Sequence, residues 1–394
     1  MKKKTIVFSL ENFDPFGGGA ESYTIALAKT LIERGWEVHF VGETWRQEPA
    51  DAIFHPISIW HWVPAGIQML WFSFCHRSIA KKLGADVVIG FGNTIWMNVY
   101  QSHGGVHWVS TFKKMYSIPN RFFRILKRIS VLFSFKQWVR NWIEKAPLRL
   151  HPMPEIIAIS PMVKEDLARC YKISKEKIHV VVNGIDTNMF RPEIRGEYRE
   201  AFRTLYNIPD THAVFLFASF DLRKKGFYIL LEAAHELKKK GYTNFTVAVA
   251  GGMPDRYARN RIKKYDLGST ILFLGKVAPM DLAYGGSDVF VIPTYYDSCS
   301  LVVQEAMASG MPVITTTAAG VAQTITSGTD GIVIAYPPTK EALGNAIEDL
   351  LDPMRRQEMG KVAFQKSAQY DARKNHEEMI RIFEEVANRQ ERNK

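Results

Sequence analysis

Asp297 and Glu305 stand in the stretch YYDSCSLVVQEAMASGMPVI with seven residues between them, in a run otherwise composed like an apolar helix leading into a strand. Desolvating a carboxylate is costly unless it is paired or put to use, so two acids in such a run need a partner. Asp297 falls in the loop after the apolar strand DVFVIP, and Glu305 in the first turns of the helix that follows. Both would then line the edge where the strands of a parallel sheet end, the edge at which ligands bind in such folds. A helix start at Ser300 and Leu301 would present unpaired backbone N–H groups to an anion. Carboxylates accept hydrogen bonds from hydroxyls, so the pattern suits a polyhydroxylated ligand that carries phosphate.

Three further segments could complete such a site. SFDLRKKGF brings Arg223, Lys224 and Lys225 together after an apolar strand, and an Arg/Lys pair at that edge suits a diphosphate. DPFGGGAESY sets glycines, Gly18 and Gly19 among them, before a helix, where missing side chains let backbone N–H groups approach an anion. It is no dinucleotide fingerprint, because Ser22 stands where G-x-G-x-x-G needs its last glycine. His103 lies between a strand and two glycines in QSHGGVHW. Each segment by itself also reads as a solvated loop, a tight turn or a structural histidine. No D-x-D sequence occurs, so no metal-bridged diphosphate and no metal site is expected.

The elements that must position these residues are short apolar strands alternating with helices. KTIVFSL, the glycine loop, a helix from Ala20 to Arg34 stopped by Gly35, and WEVHFV form one βαβ unit. ADVVIGFG and EIIAIS continue the series, so residues 1–190 read as a doubly wound parallel sheet. The stretch RPEIRGEYREAFRTLYNIPD after HVVVNGIDTNMF reads as charged and irregular, which places a boundary near residue 190. A second series over 191–372 (AVFLFAS, FYILLEAAHELKKK, FTVAVAGG, TILFLG, DVFVIP, DGIVIA) repeats the architecture, and helical, charged segments follow from about Lys340. The last of them, about 373–394, is expected to pack back on the first domain.

At 394 residues the chain fits two domains. Three scattered cysteines, Cys75, Cys170 and Cys299, make neither a disulfide framework nor a zinc motif. The apolar run after the basic N-terminus, Thr5 to Leu10, is short for a signal peptide, and Trp62 to Cys75 is short of a membrane span. The charge of +11 is uneven: residues 1–190 hold 24 Lys+Arg against 15 Asp+Glu, leaving 27 against 25 for the rest. From Val87 to Ile143 there is no acid, while Lys113, Lys114, Arg124, Lys127 and Arg128 alternate with aromatic and aliphatic residues. That combination fits an interfacial segment on an anionic membrane; the competing reading is a buried helix with a solvated basic face. Nucleic acid is not expected, because no recognisable nucleic-acid module is present.

Five segments, FDPFGGGAESYTIALAKTLIERGWEVHFV, VVNGIDTNMF, LRKKGFYILLEAA, VAGG and PTYYDSCSLVVQEAMASGMPVITT, together resemble the family 4 glycosyltransferases of the GT-B fold, the group with an E-x7-E motif. The resemblance implies an α/β protein of two Rossmann-like doubly wound domains facing across a cleft, the first binding acceptor and the second a nucleotide sugar. Within that family the chain is most similar to the lipopolysaccharide core glucosyltransferases, which move glucose from UDP-glucose to an inner-core heptose. The resemblance implies a retaining hexosyltransferase without cofactor or metal, acting on a glycolipid or oligosaccharide acceptor, cytoplasmic and peripheral on the inner face of the cytoplasmic membrane. It implies that Glu305 binds ribose hydroxyls, that Asp297 touches the donor sugar, and that Arg223 with Lys225 neutralises the diphosphate. Gly18 and Gly19 would lie by the phosphates and acceptor, His103 by the donor sugar, and Val277 by the base. The first acid is Asp where the family usually has Glu, and DSCS replaces EGFG, which bears on the sugar bound. Other readings remain: a GT-B enzyme using a different sugar or acceptor, such as a mannosyl- or galactosyltransferase or a nucleotide-sugar epimerase, and a basic binding module without chemistry.

Overall fold

The computed structural model describes residues 3–14 and 18–392, so Pro15, Phe16 and Gly17 of the glycine loop lie outside the described residues. The chain divides into two compact units, one running to Asn183 and resuming at Arg373, the other Gly184–Ala372. The division falls inside the turn VVNGID, ahead of residue 190.

The first unit contains β1 (Thr5–Ser9), β2 (Asn12–Phe13), β3 (Glu37–Gly42), β4 (Thr44–Trp45), β5 (Ile53–Pro56), β6 (Val87–Gly90), β7 (Val99–Ser102), β8 (Glu155–Ala158) and β9 (Ile178–Val180). Seven of these form one sheet in the order β5-β3-β1-β6-β7-β8-β9, while β2 and β4 pair separately. All its ladders are parallel. Because such a sheet is covered on both faces, its strands are continuous apolar runs; Ile6, Val7, Phe8, Val87, Val88 and Ile89 are buried. The closing helix Ala372–Arg392 adds Met379, Ile380, Ile382, Phe383 and Val386 to the core formed by Phe8, Leu27, Leu31 and Phe40.

The second unit contains β10 (Ala213–Ser219), β11 (Phe245–Gly251), β12 (Ile271–Gly275), β13 (Val289–Ile292), β14 (Val313–Thr316) and β15 (Gly331–Ile334). They form one parallel sheet in the order β12-β11-β10-β13-β14-β15. Each unit is thus a Rossmann-like doubly wound sheet. The order reverses between β1 and β6 in the first unit and between β10 and β13 in the second, and the crevice beyond the strand ends at such a reversal is where ligands bind.

One expectation is corrected. The stretch after residue 190 is not irregular: Glu193–Leu205 is a helix, with Ile194, Phe202 and Arg203 buried. Arg195, Arg199 and Arg203 repeat every fourth residue, so they share one helix face. They converge on Asp288 just ahead of β13, at 3.1, 2.7 and 2.9 Å. The charges that looked like a linker are the binding face of a packed helix. Ile53–Pro56, a short partly exposed strand at the sheet edge, was not anticipated either.

Candidate active site

In the second unit the loops after β10 and β13 meet at the reversal. Gly226 has φ of +89°, and a Cβ there would lie 2.1 Å from the carbonyl oxygen of Pro293, so only glycine lets the cationic loop lie against the end of β13. Tyr295 N–H donates to the Lys224 carbonyl at 3.0 Å. The backbone of Asp297 is bonded to the loop after β14, its N–H donating to Ala318 and its carbonyl accepting from Gly320. With both loops fixed, the Lys225 ammonium and the Asp297 carboxylate form an ion pair, Asp297 being the more buried partner.

The other two cations of the loop separate. Lys224 turns back to Asp221 of its own loop at 2.6 Å. Arg223 lies over the ring of Tyr228, 5.3 Å from its centroid, and 3.9 Å from Asp255. Tyr228 in turn donates to Asp255 at 2.6 Å. Arg223 and Lys225 are therefore the two cations held by neighbours at the strand ends, and Lys224 is engaged locally.

Ser300, immediately before the helix Leu301–Ala308, is left-handed with φ 72° and ψ 68°. A non-glycine residue there costs about 1–3 kcal/mol and is kept only where the surroundings impose it. Its hydroxyl is buried and has no hydrogen-bond partner among the described residues. One turn into that helix, Glu305 Oε2 accepts from the hydroxyl of Tyr284 at 2.6 Å. Burial pushes the Glu305 carboxyl above the usual carboxylate range, and the Tyr284 hydrogen bond works against that rise. Tyr284 is fully buried on the short helix Asp281–Gly286. Val277 is half-buried in the loop after β12.

The first unit carries its own cluster at its reversal. Gly18 precedes and Gly19 begins the helix Gly19–Glu33 after β1, and His103 follows β7. Tyr23 of that helix lies 5.2 Å from the His103 ring, centroid to centroid, and Phe91, after β6, lies 4.9 Å from it edge to face. Tyr23 also donates to Asn375 of the closing helix at 2.9 Å, and Asn375 donates to the Val182 carbonyl. Burial lowers the His103 pKa to about 3, so its imidazole is neutral near pH 7. A neutral imidazole donates and accepts hydrogen bonds but contributes no positive charge.

The acid-free stretch forms three helices, His107–Lys114, Arg121–Leu132 and Phe135–Lys145. Phe122, Phe123, Ile125, Leu126, Ile129, Phe133 and Trp138 are exposed, with Phe133 at 84%. The buried-helix alternative does not describe Arg121–Leu132, whose one buried residue is Val131. Lys127 and Arg128 are exposed, Lys113 and Lys114 are half-buried, and half-buried Arg124 donates to the Ile118 carbonyl and covers the Tyr116 ring. Glu144 closes the stretch: it is buried, accepts from the His107 N–H at 3.0 Å, and burial pushes its pKa to about 7 against that bond.

Sequence reasoning missed Tyr284, Tyr23 and Glu144. Tyr284 had no periodic or charge signal, being identified only by the carboxylate it meets. The Arg195, Arg199, Arg203 repeat was a readable signal for helix. Among the described residues no group of three or more His, Cys, Asp or Glu could hold a metal ion, and no helix is long and apolar enough to cross a membrane.

Residues 17–189 match the family Glycosyltransferase Family 4, and residues 199–366 match Glycosyl transferases group 1. The D-inositol 3-phosphate glycosyltransferase of Paenarthrobacter aurescens is 29% identical over 88% of each chain. The lipopolysaccharide glucosyltransferase WaaG of Escherichia coli is 22% identical over 89% of this chain and 91% of its own. A match to an uncharacterised glycosyltransferase of Methanocaldococcus jannaschii, 26% identical, spans half of each chain. Among solved structures, WaaG superposes with a TM-score of 0.81 at 20% identity over 96% of this chain and 99% of that one. Anabaena HepE in complex with UDP and glucose gives 0.70 at 16% identity over 96% and 99%; both likenesses concern the fold. Two adjoining family matches that together take in most of the chain, on two sheets of the expected winding, make this protein a glycosyltransferase of the GT-B class, related to the family 4 glycosyltransferases.

Proposed function

We propose that the protein transfers glucose from UDP-glucose, with retention of configuration, to a sugar hydroxyl of a membrane-associated glycolipid such as the lipopolysaccharide core. The observation that carries the reading is the grouping, at one sheet reversal of the second unit, of the Lys225–Asp297 pair, Arg223 and Glu305 beside a helix start. A Lys ammonium has three donors; Asp297 orients it and leaves donors for diphosphate oxygens. Arg223 supplies the second cation, and the Leu301–Ala308 helix start supplies N–H groups. Glu305 accepts from the ribose hydroxyls, Asp297 from the donor sugar, and Val277 borders the base.

Catalysis in this reading is positioning together with stabilisation of charge on the departing UDP. The acceptor oxygen attacks the anomeric carbon on the face the diphosphate leaves, and the diphosphate oxygen takes the acceptor proton. His103, being neutral, orients the donor sugar by hydrogen bonding, and the backbone at Gly18 and Gly19 meets phosphate and acceptor. No resident metal enters the scheme, because Arg223 and Lys225 offset the diphosphate charge. The exposed aromatic and basic residues of 112–142 rest on an anionic leaflet on the cytoplasmic side and so meet a lipid-borne acceptor. The support for glucose and for the core acceptor is the likeness to WaaG. The greater identity to a D-inositol 3-phosphate glycosyltransferase favours, as a second reading, a small phosphorylated polyol as acceptor.

The test is nucleotide release from a panel of UDP-, GDP- and ADP-sugars, with titration calorimetry of UDP against Glu305→Ala. Charge-assisted hydrogen bonds contribute about 1.5–3 kcal/mol each, so the variant is expected to lose at least about tenfold in UDP affinity, more than the loss of folding stability from the Tyr284 hydroxyl left without its acceptor. Equal affinity in variant and parent would remove the ribose assignment.

A further inference from the structure

The segment 57–74 lies outside the basic stretch, yet it exposes a second aromatic surface. Trp62 is 84% and Trp60 52% exposed, and Trp60 stacks on Trp71 with centroids 5.0 Å apart. Trp71 donates its indole N–H to the Ser58 carbonyl at 3.0 Å, which fixes the loop on the helix Ala65–Leu83. Ile67, Trp71 and Phe74 are exposed at i, i+4 and i+7 of that helix, one stripe along its length. The stripe adjoins the basic helices: the half-exposed Phe135 ring lies against Gly66, where a Cβ would come within 2.9 Å of it.

Charge extends the same way. Residues 52–143 contain eleven Lys+Arg and a single acid, Asp86. That acid is buried, accepting from the Thr5 N–H at 2.9 Å and from its hydroxyl at 3.1 Å. The partly exposed Glu43 reaches this surface but is paired with His61, which lies between Trp60 and Trp62, so a surface of tryptophan, phenylalanine and isoleucine with basic neighbours complements an anionic, apolar surface. Aliphatic Ile67, Leu126 and Ile129 would be idle in stacking on bases, whereas indoles and aliphatics with basic neighbours suit the headgroup boundary.

We propose that Trp60, Trp62, Ile67, Trp71 and Phe74 form a second bilayer-inserting element beside the basic helices, so that the first unit meets an anionic phospholipid bilayer through two sequence-distant segments. This rests on the bilayer contact read above for residues 112–142 and divides its work. The basic helices supply charge attraction, which salt screens; the tryptophan surface supplies apolar burial, which salt leaves intact.

Co-sedimentation with phosphatidylglycerol-rich vesicles tests it, using the full chain, Trp62→Ser/Phe74→Ser, and Arg121→Gln/Lys127→Gln/Arg128→Gln. At low salt both variants are expected to bind about tenfold more weakly than the parent. At about 1 M salt, where the screening length is about 3 Å, the charge variant is expected to match the parent and the Trp62/Phe74 variant to stay in the supernatant. Circular dichroism and UDP release in solution equal to the parent's establish that both variants are folded. Parent-like sedimentation of the Trp62/Phe74 variant alongside loss in the charge variant overturns the second element and leaves the basic contact standing. No sedimentation of the parent, or none lost in either variant, overturns both. Loss of self-association or of oligonucleotide binding in the Trp62/Phe74 variant, with vesicle binding unchanged, overturns the proposal as well.

Discussion

Tyr284 touches the proposed site at one atom, the hydroxyl it donates to Glu305 at 2.6 Å. That bond lowers the pKa of a carboxyl that burial raises, and ribose hydroxyls donate more strongly to Glu305 while it is ionised, when both oxygens accept and the bonds are charge-assisted. UDP affinity is therefore expected to fall on acidification at a pH above the usual carboxylate range. In Tyr284→Phe the lowering contribution is gone, the Glu305 pKa rises further, and the fall moves to higher pH. Calorimetric titration across pH 5 to 8 checks the direction of that movement; an unshifted profile would assign Tyr284 to packing alone. That Arg223, Lys225 and Asp297 follow apolar strands, with Glu305 in the next helix, was legible in sequence, because the strands stand out as apolar runs. Tyr284 was not, because a tyrosine in an apolar run looks like core; Ser300 was read as the helix start, but its left-handed φ is a property of the fold.

At the scale of elements, Glu193–Leu205 shows how patterning misleads. Its three arginines looked solvated because sequence alone does not reveal the acid they enclose, Asp288, nearly a hundred residues further on. Burial opposes ionisation of Asp288, but Arg199, the Val214 N–H and Arg195 outweigh it and hold its pKa below the usual range. The stability this provides is present above the ordinary carboxylate pKa and is lost as pH falls through the depressed value. Asp288→Asn leaves three guanidiniums without their counter-charge, and breaking a buried pair costs about 3–5 kcal/mol. Because Arg199 is partly exposed, the lower end is expected in urea unfolding at pH 7, with the difference from the parent shrinking at acid pH. The longer strands, by contrast, could be read from their apolar runs, but not the two-residue strands Asn12–Phe13 and Thr44–Trp45, nor Ile53–Pro56, whose edge position leaves half its residues without a core to face.

For the whole molecule, the decisive feature is the return of the chain after Ala372 to the unit it left at Asn183. Ile185 accepts from the Ala372 N–H at 2.9 Å and donates to the Tyr370 carbonyl at 2.8 Å, so the outgoing and returning segments lie side by side. Phe383, fully buried in the first unit's core, is the residue on which this arrangement can be measured. Phe383→Ala is expected to cost about 3–5 kcal/mol, read by calorimetry as a lowered transition for the first unit with UDP affinity of the second unchanged. During synthesis the same geometry sets a clock. At the usual pace of ribosomes, about 5–20 residues per second, the residues between Asn183 and Arg373 take roughly 10–40 s to make. Through that interval the sheet translated first lacks the closing helix's share of its core, shielded there only by whatever holds nascent chains, while the unit inserted into it folds; the part of the protein begun first is the part finished last.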